Sequence, residues 1–162
     1  MNLQEIYIQA KQVGLSQNCD ERMTSDLSIK NLCGMYFDGD DWSMKNDFPK
    51  LEILRDFKGK SEVYGIFTDY VGMPNNLSKS AFFGNSDIRM IYNGYSVSQL
   101  VLRHQSKAKI TVADNAILII NILDNAEVDI ECIENARVEV FQYGGKIKSS
   151  GDVRIHKSSF EK

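Results

Sequence analysis

The chain has 162 residues, 43% of them apolar, with a net charge of −3, three cysteines and two prolines. That composition suits one domain, or a small head fused to a repeat module, and excludes a long disordered or low-complexity chain. The N-terminus has no basic start followed by an apolar run and no segment reaches membrane-spanning length, so a soluble protein of a reducing compartment is expected, cytoplasmic or virion-associated, with no membrane partner.

A small helical head is predicted over residues 1–62. Asn2 can cap its first helix, with Glu5 where a capping box places its carboxylate. Leu3, Ile6, Tyr7 and Ala10 recur at i, i+3, i+4 and i+7, and Gly14 follows where a left-handed backbone closes a helix. A second helix is predicted over 27–37, burying Leu27, Leu32, Cys33 and Tyr36, with Gly34 weakening it by ~1 kcal/mol. A third spans 49–57, with Asp47 at its entry, Pro49 in its first turn, Leu51, Leu54 and Phe57 inward and Gly59 at its end. Between them, Asp38-Gly39-Asp40-Asp41-Trp42 reads as a turn with helix-capping acids. It lacks the ligand order of a calcium loop. Cys19, Cys33 and Cys132 form no CxxC pair and have no ligand-like spacing to His104 or His156. No metal and no cofactor is therefore expected.

Residues 63–83 read as a connection: a strand over 63–67, then a turn at Met73-Pro74-Asn75-Asn76. A repeat follows. Asp114-Asn115-Ala116, Asp124-Asn125-Ala126 and Glu134-Asn135-Ala136 recur at intervals of ten, each followed by an alternating run such as Glu127-Val128-Asp129-Ile130. Looser copies flank them, from Asp87 to Met90 and from Asp152 to Ile155. Alternation places Val128, Ile130, Val138 and Val140 on one side of their strands, and Cys132 falls in phase with them. Asn suits the left-handed region, Asp can close an Asx turn, and Ala is small enough to stack. One such unit cannot bury its own apolar face, but stacked units can.

The fold class is therefore α+β: a helical head and then, over 84–157, a short right-handed-type parallel β-solenoid with ten-residue rungs, ending in a charged tail, 158–162. Handedness and number of sides stay open. Two rungs per coil would give roughly four coils, ~19 Å tall at ~4.8 Å each. Gly144-Gly145 and Ser149-Ser150-Gly151 are expected to interrupt the rungs and discourage growth at that edge.

Two surfaces stand out. Residues 116–123 are apolar on both faces, which marks Ile117 and Ile119 as an interface to the head or to another copy of the chain. Glu127, Asp129 and Glu131 share one outward face, with Glu139 expected nearby, as a binding surface that paired carboxylates could turn to carbohydrate. From Asp114 to Glu139 seven acids face one base, Arg137, which argues against nucleic acid. His104 could act as a base beside Asp87 or Asp114, as in hexapeptide-repeat acyltransferases, but the six-residue repeat is lacking. No GxGxxG, P-loop, GxSxG or HExxH occurs.

The helical head, the Asn-Ala rungs and the stretch Tyr143-Gly144-Gly145-Lys146 resemble uncharacterised proteins encoded in phages and prophage-like regions of gut bacteria. The resemblance covers most of the chain and implies a phage- or mobile-element-associated protein, with no catalytic residue to carry over. The rungs are also similar to bactofilin solenoids, whose cores are more continuously apolar and which lack such a head. The reading is a non-enzymatic structural or interaction protein, acting as a homo-oligomer or with a protein partner. A carbohydrate-binding or carbohydrate-processing module is the alternative.

Overall fold

A computed structural model describes residues 3–74 and 77–160, and the chain divides into two units, Met1–Ile66 and Phe67–Lys162. Among the described residues the first contains five α-helices: α1 (Leu3–Gln12), α2 (Gln17–Ser25), α3 (Ile29–Asp38), α4 (Asp40–Asn46) and α5 (Leu51–Asp56). α1 buries Ile6 and Ala10, and Gly14 beyond it takes a φ of 93°. That is the left-handed backbone expected there. The expected cap, Asn2, lies outside the described residues.

α2 has no counterpart among the predicted helices because it lacks an apolar stripe; only Met23 is buried. Polar ties hold it instead. The Ser16 hydroxyl accepts from the Cys19 N–H, the Tyr7 hydroxyl donates to Asp20, and Arg22 pairs with Asp38 at 2.7 Å. α3 starts at Ile29 rather than at residue 27, because Ser28 caps it by accepting from the Asn31 N–H. Asp38 to Trp42 is not a turn. Gly39 ends α3, and Asp40 and Asp41 open α4, where carboxylates favour a helix N-terminus. Asp47 closes α4 with a φ of 48° instead of capping α5, so α5 begins only at Leu51, after Pro49. The strand expected over 63–67 is also shorter. Glu62–Tyr64 forms a 3-10 turn, Gly65 takes a φ of 90°, and extended chain begins at Ile66.

The second unit is a parallel β-solenoid of about four turns with two sheets. Its strands are β1 (Ile66–Thr68), β2 (Val71–Gly72), β3 (Lys79–Phe83), β4 (Asp87–Tyr92), β5 (Val97–Leu102), β6 (Lys107–Val112), β7 (Ile117–Ile122), β8 (Glu127–Cys132), β9 (Arg137–Gln142), β10 (Lys146–Ser150) and β11 (Val153–Lys157). Odd strands form one sheet and even strands the other, each in chain order. Val97 pairs with Ile117 and Ile117 with Arg137, so one coil is two ten-residue rungs and has two sides. The coil begins before the repeat does, since β1 to β3 already belong to the sheets.

Inward positions stack in columns. Met90, Ile110 and Ile130 form one, Leu100, Ile120 and Val140 another, and Tyr92, Val112 and Cys132 a third that tapers from large to small. All are buried, Cys132 included, as its phase required. Ala116, Ala126 and Ala136 are buried at the strand entrances, where Ser86 and Ser106 stand in earlier coils. Those serines use their hydroxyls on turn carbonyls, Ser86 donating to Phe83 at 2.8 Å and Ser106 to Phe82 at 3.2 Å.

Asn is not the left-handed residue of the corners. Positive φ falls instead on the residue before it, at Asp114, Asp124 and Glu134, and at the equivalent His104, Gly94 and Gly84. The reason is a ladder between coils. Asp114 Oδ2 accepts from the Gly94 N–H at 2.8 Å, Asp124 Oδ2 from the His104 N–H at 3.0 Å, and His104 Nδ1 from the Gly84 N–H at 3.1 Å. Each short acceptor side chain satisfies a turn N–H that the strand ladders do not reach, which offsets the cost of αL backbone.

Nor do the glycines near the C-terminus interrupt the rungs. Gly144-Gly145 forms the corner into β10, and Gly151 the corner before β11; both strands pair in register with the coil below. Glycine is required there by contact. A Cβ on Gly151 would lie 1.8 Å from the Cys132 carbonyl oxygen, and one on Gly145 2.4 Å from that of Ala126.

Candidate functional site

The register decides which candidate residues share a surface. Glu127, Asp129 and Glu131 lie along the outer face of β8, as expected. Glu139 does not join them. It sits on β9 in the other sheet, where it pairs with Ile119 below and Arg154 above, meets the His156 ring, and lies 3.9 Å from Arg154 Nη1. Nor is the β8 face an acidic patch. Lys107 and Lys109 on β6 are register partners of Glu127 and Asp129 on one side, Lys146 and Lys148 on β10 on the other. Opposite charges in adjacent strands, ~4.8 Å apart, are mutually favourable and leave the face close to neutral. What looked in sequence like an acid run is interleaved, because residues twenty apart become neighbours.

His104 faces Asp124 and Gly84 in the corner ladder, not Asp87 or Asp114. Its Nδ1 accepts from the Gly84 backbone N–H, which engages the ring in the turn. The same corner carries a buried cation. Arg103, with its side chain 8% exposed, donates through Nε to Asp124 Oδ2 at 2.9 Å. That corner is built for stability.

The opposite corner, where even strands pass to odd ones, carries Asp114 and Glu134 in its turns and an exposed apolar row beside them. Tyr95 is 85% exposed, Val97 63% and Ile117 39%, and Val97 and Ile117 are register neighbours. Ile119 lies beside them, half-buried, while Ile91 at the end of β4 and Ile133 in the turn between β8 and β9 are exposed on other coils. Single exposed apolar residues are ordinary, but a contiguous row is characteristic of a contact surface. Its border on β9 carries one charge of each sign, Arg137 beside Ile117 and Glu139 beside Ile119.

A second feature lies wholly in the helical unit. A cavity of about 250 Å³ is lined by Ile6, Ala10, Leu32, Cys33, Trp42 and Phe48 among others, with no charged side chain in its wall. Trp42 packs edge-to-face on Phe48, with centroids 5.3 Å apart. Burial pushes the Cys33 thiol up to about 11, so it stays protonated at neutral pH. Among the described residues Ile6, Ala10, Met23 and Ile53 form one buried cluster and Cys33, Tyr36, Met44 and Leu54 are buried as well, while Leu32, Met35, Trp42, Phe48 and Phe57 are partly buried around the cluster. The unit packs apolar groups around space.

Among the described residues no group of three His, Cys, Asp or Glu side chains is placed to hold a metal ion, and no helix is long and apolar enough to cross a membrane. No protein-family model, no curated protein and no solved structure matches this chain.

Proposed function

We propose that this is a non-enzymatic interaction protein, encoded in a phage or mobile-element setting, whose solenoid is a rigid scaffold that pairs through its apolar corner with a second copy of the chain. The observation that carries the reading is the exposed row Tyr95, Val97 and Ile117, which continues into Ile119. Parallel coils with an unchanging twenty-residue offset from β4 to β9 give a stiff, regular platform. A border with both signs of charge supports a self-complementary contact, as a two-fold dimer requires. The Arg154–Glu139 pair on this border is exposed at the arginine and weak, so it is free to exchange partners on association.

Light scattering across a concentration series tests the proposal. The wild-type chain is expected to dimerise, and Val97→Asp/Ile117→Asp to remain a folded monomer. Ile119→Asp, on the half-buried edge of the row, is expected to weaken the dimer less. A wild-type monomer at every concentration would overturn self-association.

A further inference from the structure

We propose that the cavity of the helical unit is a binding site for a small, uncharged apolar molecule, an aromatic of one or two rings or a short alkyl chain. Size comes first. A cavity of 150 Å³ accommodates benzene, so about 250 Å³ leaves room for a substituted ring, a fused pair of rings or a chain of about six to eight carbons. Water is a poor occupant. It needs two to four polar partners, and the wall is almost entirely hydrocarbon. Of the polar groups near it, the Ser61 hydroxyl is already spent on the Ile66 carbonyl at 2.9 Å.

Charge comes second. With no ionised side chain in the wall, a carboxylate or ammonium entering it would lose its hydration without gaining a counter-ion. The site therefore selects neutral ligands. Shape comes third, because the Trp42–Phe48 pair supplies an aromatic wall against which a flat ring can pack. Access runs past the α1–α2 junction, where Gly14 and Ser16 of the loop and Cys19 of the first turn of α2 are lining residues exposed to solvent. This site is independent of the apolar corner of the solenoid, so either proposal can fail alone.

Trp42 is the chain's single tryptophan, and it lies in the wall, so its emission reports occupancy directly. Bromobenzene, a neutral heavy-atom quencher that fits the space, is titrated against the full-length protein beside its charged isostere 4-bromobenzoate. Saturable quenching by bromobenzene is expected, with at least tenfold weaker binding of 4-bromobenzoate and a rise in Tm with bromobenzene only. Leu32→Phe, which fills part of the space, is expected to lose the saturable component while keeping its helical circular dichroism. Ala10→Leu serves the same purpose should Leu32→Phe fail to fold. Linear, unsaturable quenching equal for the two compounds would overturn the proposal. So would saturable binding that survives both filling substitutions in folded protein, which would place the ligand elsewhere.

Discussion

Asp114 and Asp124 hold equivalent positions at opposite corners of the solenoid, and comparing them isolates the worth of one buried cation. Their φ angles are 58° and 57°, and each carboxylate accepts from the turn N–H one coil earlier, at 2.8 and 3.0 Å. Only Asp124 also receives the Arg103 Nε, at 2.9 Å, from a side chain 8% exposed. Asp114→Ala removes the turn bond and puts a Cβ-bearing residue without a polar partner in αL backbone, together about 2–3 kcal/mol. Asp124→Ala loses the same two contributions and leaves a buried guanidinium with one anionic partner fewer. Breaking a buried pair costs about 3–5 kcal/mol. The Asp124 side chain is 36% exposed, however, so water screens the pair, and an added ~2 kcal/mol is the better figure. Urea denaturation followed by far-UV circular dichroism should therefore show Asp124→Ala less stable than Asp114→Ala by about 2 kcal/mol, with unchanged m-values. Adding Arg103→Met should recover most of that difference. Equal losses, within about 0.5 kcal/mol, would refute the idea that the arginine depends on this carboxylate.

Three further outcomes follow from the same geometry. Gly151→Ala should detach the last coil, since its Cβ would sit 1.8 Å from the Cys132 carbonyl oxygen on backbone with a φ of 87°; amide exchange in β10 and β11 would rise while β4 to β7 stayed protected. Ser98→Ala should stabilise the solenoid by ~1 kcal/mol in urea titrations, because the Ser98 hydroxyl is buried without a hydrogen-bond partner. Cys33 gives a pH dependence. Its folded pKa of about 11 exceeds the ordinary value of 9.0, so the unfolded chain releases the proton first and stability falls as pH rises between the two. About 2–3 kcal/mol should be lost over that window, and thermal melts of Cys33→Ala should lack that part of the slope.

Ten-residue spacing revealed the solenoid because its physics is periodic. One corner chemistry recurs, one small residue recurs at the strand entrance, and alternation shows which side is in. Local propensity points to Asn as the left-handed residue, but the deciding interaction joins residues twenty apart and puts the left-handed backbone one residue earlier. The same distance hid the lysines beside Glu127 and Asp129, and it sent Glu139 to the other sheet. A single strand shows its own face but not its register partners. In the helical unit, apolar periodicity marks α1, α3 and α5 but neither α4, whose start reads as a turn, nor α2, which is docked by Tyr7–Asp20 and Arg22–Asp38 rather than by an apolar stripe. Ser16 was the one local signal that could have placed it. The cavity had no sequence signature at all. Leu32, Trp42 and Phe48 look like ordinary core residues until the helices fail to close over them.

The solenoid also carries the means of its own termination. Coils from β4 to β9 repeat with an offset of twenty, yet Val71 meets Asp87 at an offset of sixteen, and Val138 meets Val153 at fifteen. A coil several residues short cannot present the full corner, with its acceptor side chain, to another coil. Polarity adds to this at the C-terminal end. β10 and β11 are edge strands bearing Lys146, Lys148, Arg154, His156 and Lys157, and a fourth member, Lys157, stands over the inward column Leu102, Ile122 and Gln142. Charge on an edge strand, and above all at an inward position, disfavours pairing with a further chain. Beyond it, the chain turns back on the last corner, where Phe160 stacks on Tyr143 at 4.3 Å. Growth by strand addition at that edge is thus disfavoured three ways, by length, by charge and by the returning tail. Association through the sides of the stack escapes all three, and the apolar corner lies on a side.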